Sequence, residues 1–229
     1  MTLPLLLSVP HAGVQVPDFL ENRCVLSHHR IELAGDIGAR AIFDLAGEVA
    51  AFVTTDVARA VLDVDRAEDD RGRDGVVKTH TGLADAVWSK PLSESLVQRL
   101  LREHHRPYHD VLTARAGRTA LAIDCHTVAA VGPADGPDPG AERPMVCLGD
   151  GGGLCPADWM EALQSCFARQ FQGRVSVDEP LGGGYVTRTH GNEMPWVQLE
   201  VSRSPEMNVS QKRGALLAAL TEFCASRSW

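Results

Sequence analysis

The chain has 229 residues, 44% of them hydrophobic and 23% charged, and carries a net charge of −8. That length buries a substantial core without disulfide or metal staples, and the composition is that of a globular protein. An acidic balance with no Lys/Arg-rich stripe argues against a nucleic-acid partner.

Six cysteines (Cys24, Cys125, Cys147, Cys155, Cys166 and Cys224) include no CxxC pair. Reduced thiols in a cytoplasmic protein are therefore expected, rather than a disulfide framework. The first apolar run has no basic segment before it and is too short to span a membrane, so no membrane partner is expected. One domain over residues 1–229 is the expected organisation.

In chain order, residues 3–8 read as a buried strand ending in Pro10-His11-Ala12-Gly13. Over residues 27–50, Ile31, Ala34, Ile37, Ala41, Ile42, Leu45 and Val49 recur at helical spacing and predict a helix. Residues 51–55 and 60–64 are short strand candidates. Residues 65–90 are charged, contain Gly72, Gly75 and Gly82, and predict a long loop, which in a compact domain is usually functional. Ser93 caps a helix carrying Leu96, Leu100, Leu101, Val111 and Leu112, which Pro107 is expected to kink or divide. Strands are expected at 120–123, 145–148, 175–177 and 197–201, and helices at 156–171 and 209–225. A Gly/Pro/Asp-rich loop is expected at 131–143. Strands alternating with helices give an α/β fold with a mostly parallel sheet.

Open α/β sheets bind ligands beyond the carboxyl ends of their strands. His11, His126 and Glu200 all fall where apolar runs break into polar sequence, which points to a metal-assisted hydrolase. Residues two apart on a strand share a face, so Asp124 can orient His126 or a ligand beside it. Catalytic zinc takes three protein ligands and leaves one position for water. The third ligand stays open among Asp36, Asp63, Asp65, His80, Glu200 and His190. His28, His29, His104, His105 and His109 read as surface or packing residues. Cys125 should point away from its two neighbours, which argues against a cysteine nucleophile. Residues 149–153 are glycine-rich but lack both the GxGxxG spacing and a P-loop lysine.

Six segments resemble, in order, the N-formylglutamate amidohydrolase family. They are Ser8-Val9-Pro10-His11-Ala12-Gly13, Val61-Leu62-Asp63-Val64-Asp65-Arg66, Arg106-Pro107-Tyr108-His109-Asp110, Ala122-Ile123-Asp124-Cys125-His126-Thr127, Gly183-Gly184-Tyr185-Val186-Thr187-Arg188 and Gln198-Leu199-Glu200. The resemblance implies a carboxypeptidase-like fold, a mixed sheet flanked by helices, and a zinc-dependent hydrolase of a small acidic N-acyl amino acid, N-formylglutamate first. It implies metal ligands at His11, Asp36 and His126, with Asp36 at the start of the helix after the histidine loop. It implies a general base at Glu200 and substrate-carboxylate contacts at Arg59, Arg66 and Arg188. His190 is read as a donor to a tetrahedral oxyanion. Two histidines and an aspartate suit zinc and also admit iron, cobalt or manganese. Asp65 stands where the family usually has Asn, a change that touches the substrate pocket more than the metal site. The rival readings are a deacylase or carboxypeptidase-like hydrolase of another N-acyl amino acid, and a non-catalytic binder of small acidic ligands.

Overall fold

A computed structural model describes residues 2–134 and 136–227. Six strands form one sheet: β1 (Leu3–Val9), β2 (Val49–Thr54), β3 (Leu121–Val128), β4 (Val146–Gly149), β5 (Val175–Val177) and β6 (Trp196–Ser202). Their spatial order is β2-β1-β3-β6-β4-β5. Every neighbouring pair is parallel except β4 with β6, so the sheet is mixed and mostly parallel.

The period of two along each strand divides the apolar residues between two cores. Leu3, Leu5, Leu7, Ile123, Cys125, Val197, Leu199 and Val201 face one layer, which is closed by α2 (Ala39–Ile42), α5 (Ala157–Gln170) and α7 (Val209–Ala225). Leu6, Ala122 and Trp196 face the other. There they meet α3 (Glu94–Leu100) and α4 (Arg106–Arg115), which are joined by a π-helical turn at Leu101–His105. That turn is how the chain accommodates Pro107: the helical path widens just before it instead of breaking.

Three expectations change. The helix over 27–50 is two short helices, α1 (His28–Ala34) and α2, followed directly by β2. Gly35 leaves the helical region, and Gly38 sits at φ +81, a left-handed conformation that glycine adopts without a Cβ clash. Asp36 therefore lies in the link between the helices. Residues 60–64 are a buried turn, not a strand: the Val61 and Leu62 amides both donate to the Ala58 carbonyl. A short apolar run signals burial without specifying the backbone that achieves it. Finally, α6 (Tyr185–His190) forms where no helix was expected. Its sequence has weak helix propensity, and a tertiary contact starts it: the Val186 amide donates to Asp65 Oδ1 at 2.7 Å. Gly184 permits this approach, since a Cβ there would lie 2.4 Å from Asp65 Oδ2.

Candidate functional site

The site is built on the second face of the sheet. In register, Leu6 lies beside Ala122 and Ala122 beside Trp196; one pleat further, Ser8 lies beside Asp124 and Asp124 beside Gln198. The next pleat pairs His126 with Glu200. One face thus runs from apolar to polar to ionisable toward the carboxyl ends of the strands. His126 and Glu200 stand within the strands, not in the loops after them. Cys125 faces the opposite core, as its position between Asp124 and His126 requires.

His11, from the turn after β1, meets His126 and Asp36 in a buried cluster. The two Nδ1 atoms are 3.1 Å apart, and Asp36 oxygens lie 3.6 Å from His11 Nδ1 and 3.3 Å from His126 Nδ1. The outer nitrogens face carboxylates: His11 Nε2 bonds Asp63 Oδ1 at 2.7 Å, and His126 Nε2 bonds Asp124 Oδ2 at 2.9 Å. An ionised carboxylate only accepts, so each Nε2 carries the proton and each Nδ1 lone pair turns inward. Two lone pairs and a carboxylate converge here, with Asp36 also accepting from Arg59 Nη1 and the Thr127 amide, and such a set can hold a cation. Tetrahedral zinc bonds of ordinary length would separate ligand atoms by about 3.3 Å, which the observed spacing matches. The donor set therefore fits a divalent metal.

The electrostatics agree. Burial and Arg59 oppose protonation of His11, yet Asp63 and Asp36 raise its pKa above the usual histidine value. His126, equally buried, is pushed well above that value by Asp124, Asp36 and Glu200. Burial works against ionised Asp36 and Asp63, but their cationic neighbours, His11 first, hold both well below the usual carboxylate range. Without a metal, protons are drawn to this cluster.

Asp63 was legible only as a possible ligand; here it organises the site. It accepts from His11, from Arg59 Nε at 3.1 Å, from the Asp65 amide at 3.0 Å and pairs with buried Lys78 at 3.0 Å. Asp124 is held by Ser8 Oγ at 2.8 Å, which in turn contacts Tyr108 Oη at 2.8 Å. Gln198 Nε2 donates to Glu200 Oε1 at 2.8 Å, while its own buried Oε1 has no donor among the described residues. Burial pushes the Glu200 carboxyl up to about 7, against the pull of His126.

His11, Asp36, His126, Gln198 and Glu200 line a cavity of about 580 Å³, which Arg59, Arg66 and Arg188 also reach. Arg59 and Arg66 are already engaged, however. Arg59 gives Nε to Asp63 and Nη1 to Asp36 at 3.2 Å. Arg66 gives Nη1 to the Asp65 carbonyl and Nε to the Asp74 carbonyl. Neither presents a free fork to a substrate carboxylate. The exposed Arg188 side chain has no hydrogen bond or ion pair among the described residues. Arg203, which the sequence did not mark, also lines the cavity, and its side chain has no partner among the described residues.

His190 is not in this cavity. Residues two apart on a helix diverge, so Arg188 and His190 leave α6 on different sides. His190 lines a separate pocket of about 330 Å³, bonded to His109 Nδ1 at 2.8 Å and Glu193 Oε2 at 2.9 Å. An oxyanion contact from His190 does not fit that placement. His105 and His109 are packing residues, donating to the Arg66 and Val64 carbonyls, whereas His28 and His29 are exposed.

Comparison with known proteins places the chain. It is 28% identical to an N-formylglutamate deformylase of Pseudomonas putida, over 91% of this chain and 84% of that one. Its fold matches a crystal structure of N-formylglutamate amidohydrolase from Ralstonia eutropha JMP134 (TM-score 0.77, 18% identity, 98% and 92% of the two chains). It also matches a gene product of Agrobacterium tumefaciens (TM-score 0.74, 19% identity, 97% and 90%). The family model for N-formylglutamate amidohydrolase covers residues 3–207, so the chain belongs to the N-formylglutamate amidohydrolase family.

Proposed function

We propose that the chain is a zinc-dependent amidohydrolase that cleaves N-formyl-L-glutamate to formate and glutamate, with His11, Asp36 and His126 as the metal ligands. The observation that carries this reading is the inward convergence of two Nδ1 atoms and a carboxylate beside buried Glu200. Zinc held there lowers the pKa of a coordinated water toward neutrality and polarises a carbonyl.

The chain's own groups do the rest. Glu200, 7% exposed, takes the proton of the attacking water and delivers it to the departing amide nitrogen as the carbon–nitrogen bond breaks. Gln198 fixes one Glu200 oxygen and leaves the other for this transfer. Arg59, locked between Asp36 and Asp63, is a positioned cation facing the charge that develops on the carbonyl oxygen. Asp63 and Asp124 keep the imidazoles in the metal-binding tautomer, and Arg188 binds a substrate carboxylate.

Replacing the carboxylate behind His11 tests its orienting role. Asp63→Asn is expected to weaken zinc binding about 10- to 100-fold, measured by competition with a chelator. Unchanged affinity would remove Asp63 from the site's support.

Substrate choice is tested by formate release. The kcat/KM for N-formyl-L-glutamate is expected to exceed that for N-formyl-L-leucine by about 10- to 100-fold, the worth of one charge-assisted contact. Equal rates would show that the cavity does not read the side-chain carboxylate, and would favour a deacylase of other N-acyl amino acids.

A further inference from the structure

The cations of the cavity are unequal. Arg59 and Lys78 are tied to Asp63, Arg66 to the backbone on either side of the loop, and Arg143 to Asp138 with Nε–Oδ2 at 2.7 Å. Arg203 and Arg188 alone among these cations have, among the described residues, no anionic partner or carbonyl in contact with their guanidinium groups. A substrate with two carboxylates needs two such groups.

The two sit at different depths. Arg188 is exposed, on α6. Arg203 is half-buried just beyond β6, its backbone amide anchored to the Val128 carbonyl at 2.8 Å. Burial lowers its pKa, and the carboxylates whose fields act on it most are Asp36 and Glu200, the groups at the reacting centre. A desolvated guanidinium without a contact ion pair is costly unless an anion completes it.

The substrate has a matching asymmetry. Its α-carboxylate carbon is two bonds from the scissile nitrogen, and its side-chain carboxylate carbon is four bonds away. With the amide held between Asp36 and Glu200, the nearer carboxylate belongs to the deeper arginine.

We infer that Arg203 is the recognition residue for the α-carboxylate of the N-acyl amino acid, leaving the side-chain carboxylate to Arg188 at the rim. This assignment rests on the proposed reading of the cavity as an N-acyl dicarboxylate site. It adds a specificity determinant among the residues that sequence reasoning left unmarked.

The test reads binding, not turnover. Zinc-loaded protein carrying Glu200→Gln is titrated calorimetrically with N-formyl-L-glutamate, with N-formyl-L-isoglutamine (α-carboxamide) and with N-formyl-L-glutamine (side-chain carboxamide). The parent should prefer the dicarboxylate over isoglutamine by about 30-fold or more. Adding Arg203→Met should erase that preference while retaining the preference over glutamine, and Arg203→Lys should restore part of it. Equal weakening toward all three ligands, or loss of the preference over glutamine instead, would overturn the assignment and leave the proposed function standing. A parent that binds none of the three would overturn both.

Discussion

Glu200→Gln is expected to lower kcat for N-formyl-L-glutamate by about 100- to 10,000-fold, the range of general acid–base catalysis, with the zinc content unchanged. The substitution keeps the shape of the side chain and removes only its ability to take a proton. A glutamine can still receive the Gln198 Nε2 donor through its carbonyl oxygen, so the local hydrogen bond at 2.8 Å has a successor. His126 stands opposite Glu200 across the β3–β6 pair but turns its Nδ1 toward His11 and Asp36. Metal content should accordingly not depend on residue 200. Steady-state kinetics with elemental analysis of the same preparation decide the matter. Near-normal turnover would remove Glu200 as the proton carrier, and loss of metal would make it a ligand.

His126→Ala is expected to abolish stoichiometric zinc binding and reduce activity to background. It should also lower stability. The imidazole stands between Asp124 on one side and Asp36 on the other. Its removal leaves buried carboxylates without their cationic partner, a loss of about 3–5 kcal/mol for a broken buried pair. A thermal melt of the metal-free variant against the metal-free parent separates this effect from the loss of zinc. A variant that keeps one zinc per chain would refute the ligand assignment.

Much of the architecture was legible because strand periodicity is local. The strand at 175–177 and the helix at 209–225 form with the bounds their apolar patterns imply. The shared face of Asp124 and His126 follows from their spacing of two, and Gln198 and Glu200 repeat that spacing on β6. Asp36 was one of six candidate third ligands, and only family resemblance singled it out. Its place depends on two glycines that break a helical pattern, and periodicity counts apolar positions without weighing such breaks.

Ion-pair partners were not legible. Arg59 lies 23 residues from Asp36, and only the fold reveals that their charges are already matched. An unpaired Arg203 carries no sequence signature at all, since a lone arginine after a strand is ordinarily solvated. The place of His190 was not legible either: it stands two residues from Arg188, and helix geometry sends the two side chains to different cavities. Asp65 is likewise clearer in three dimensions. One of its oxygens caps α6 through the Val186 amide, so part of its charge is spent on holding the helix that presents Arg188.

The most direct test of the account is formate release from N-formyl-L-glutamate by protein stripped with a chelator and then restored with one equivalent of zinc. Activity lost on stripping and regained on addition is the expected result. Full activity in metal-free protein, or no formate from zinc-loaded protein, would contradict it.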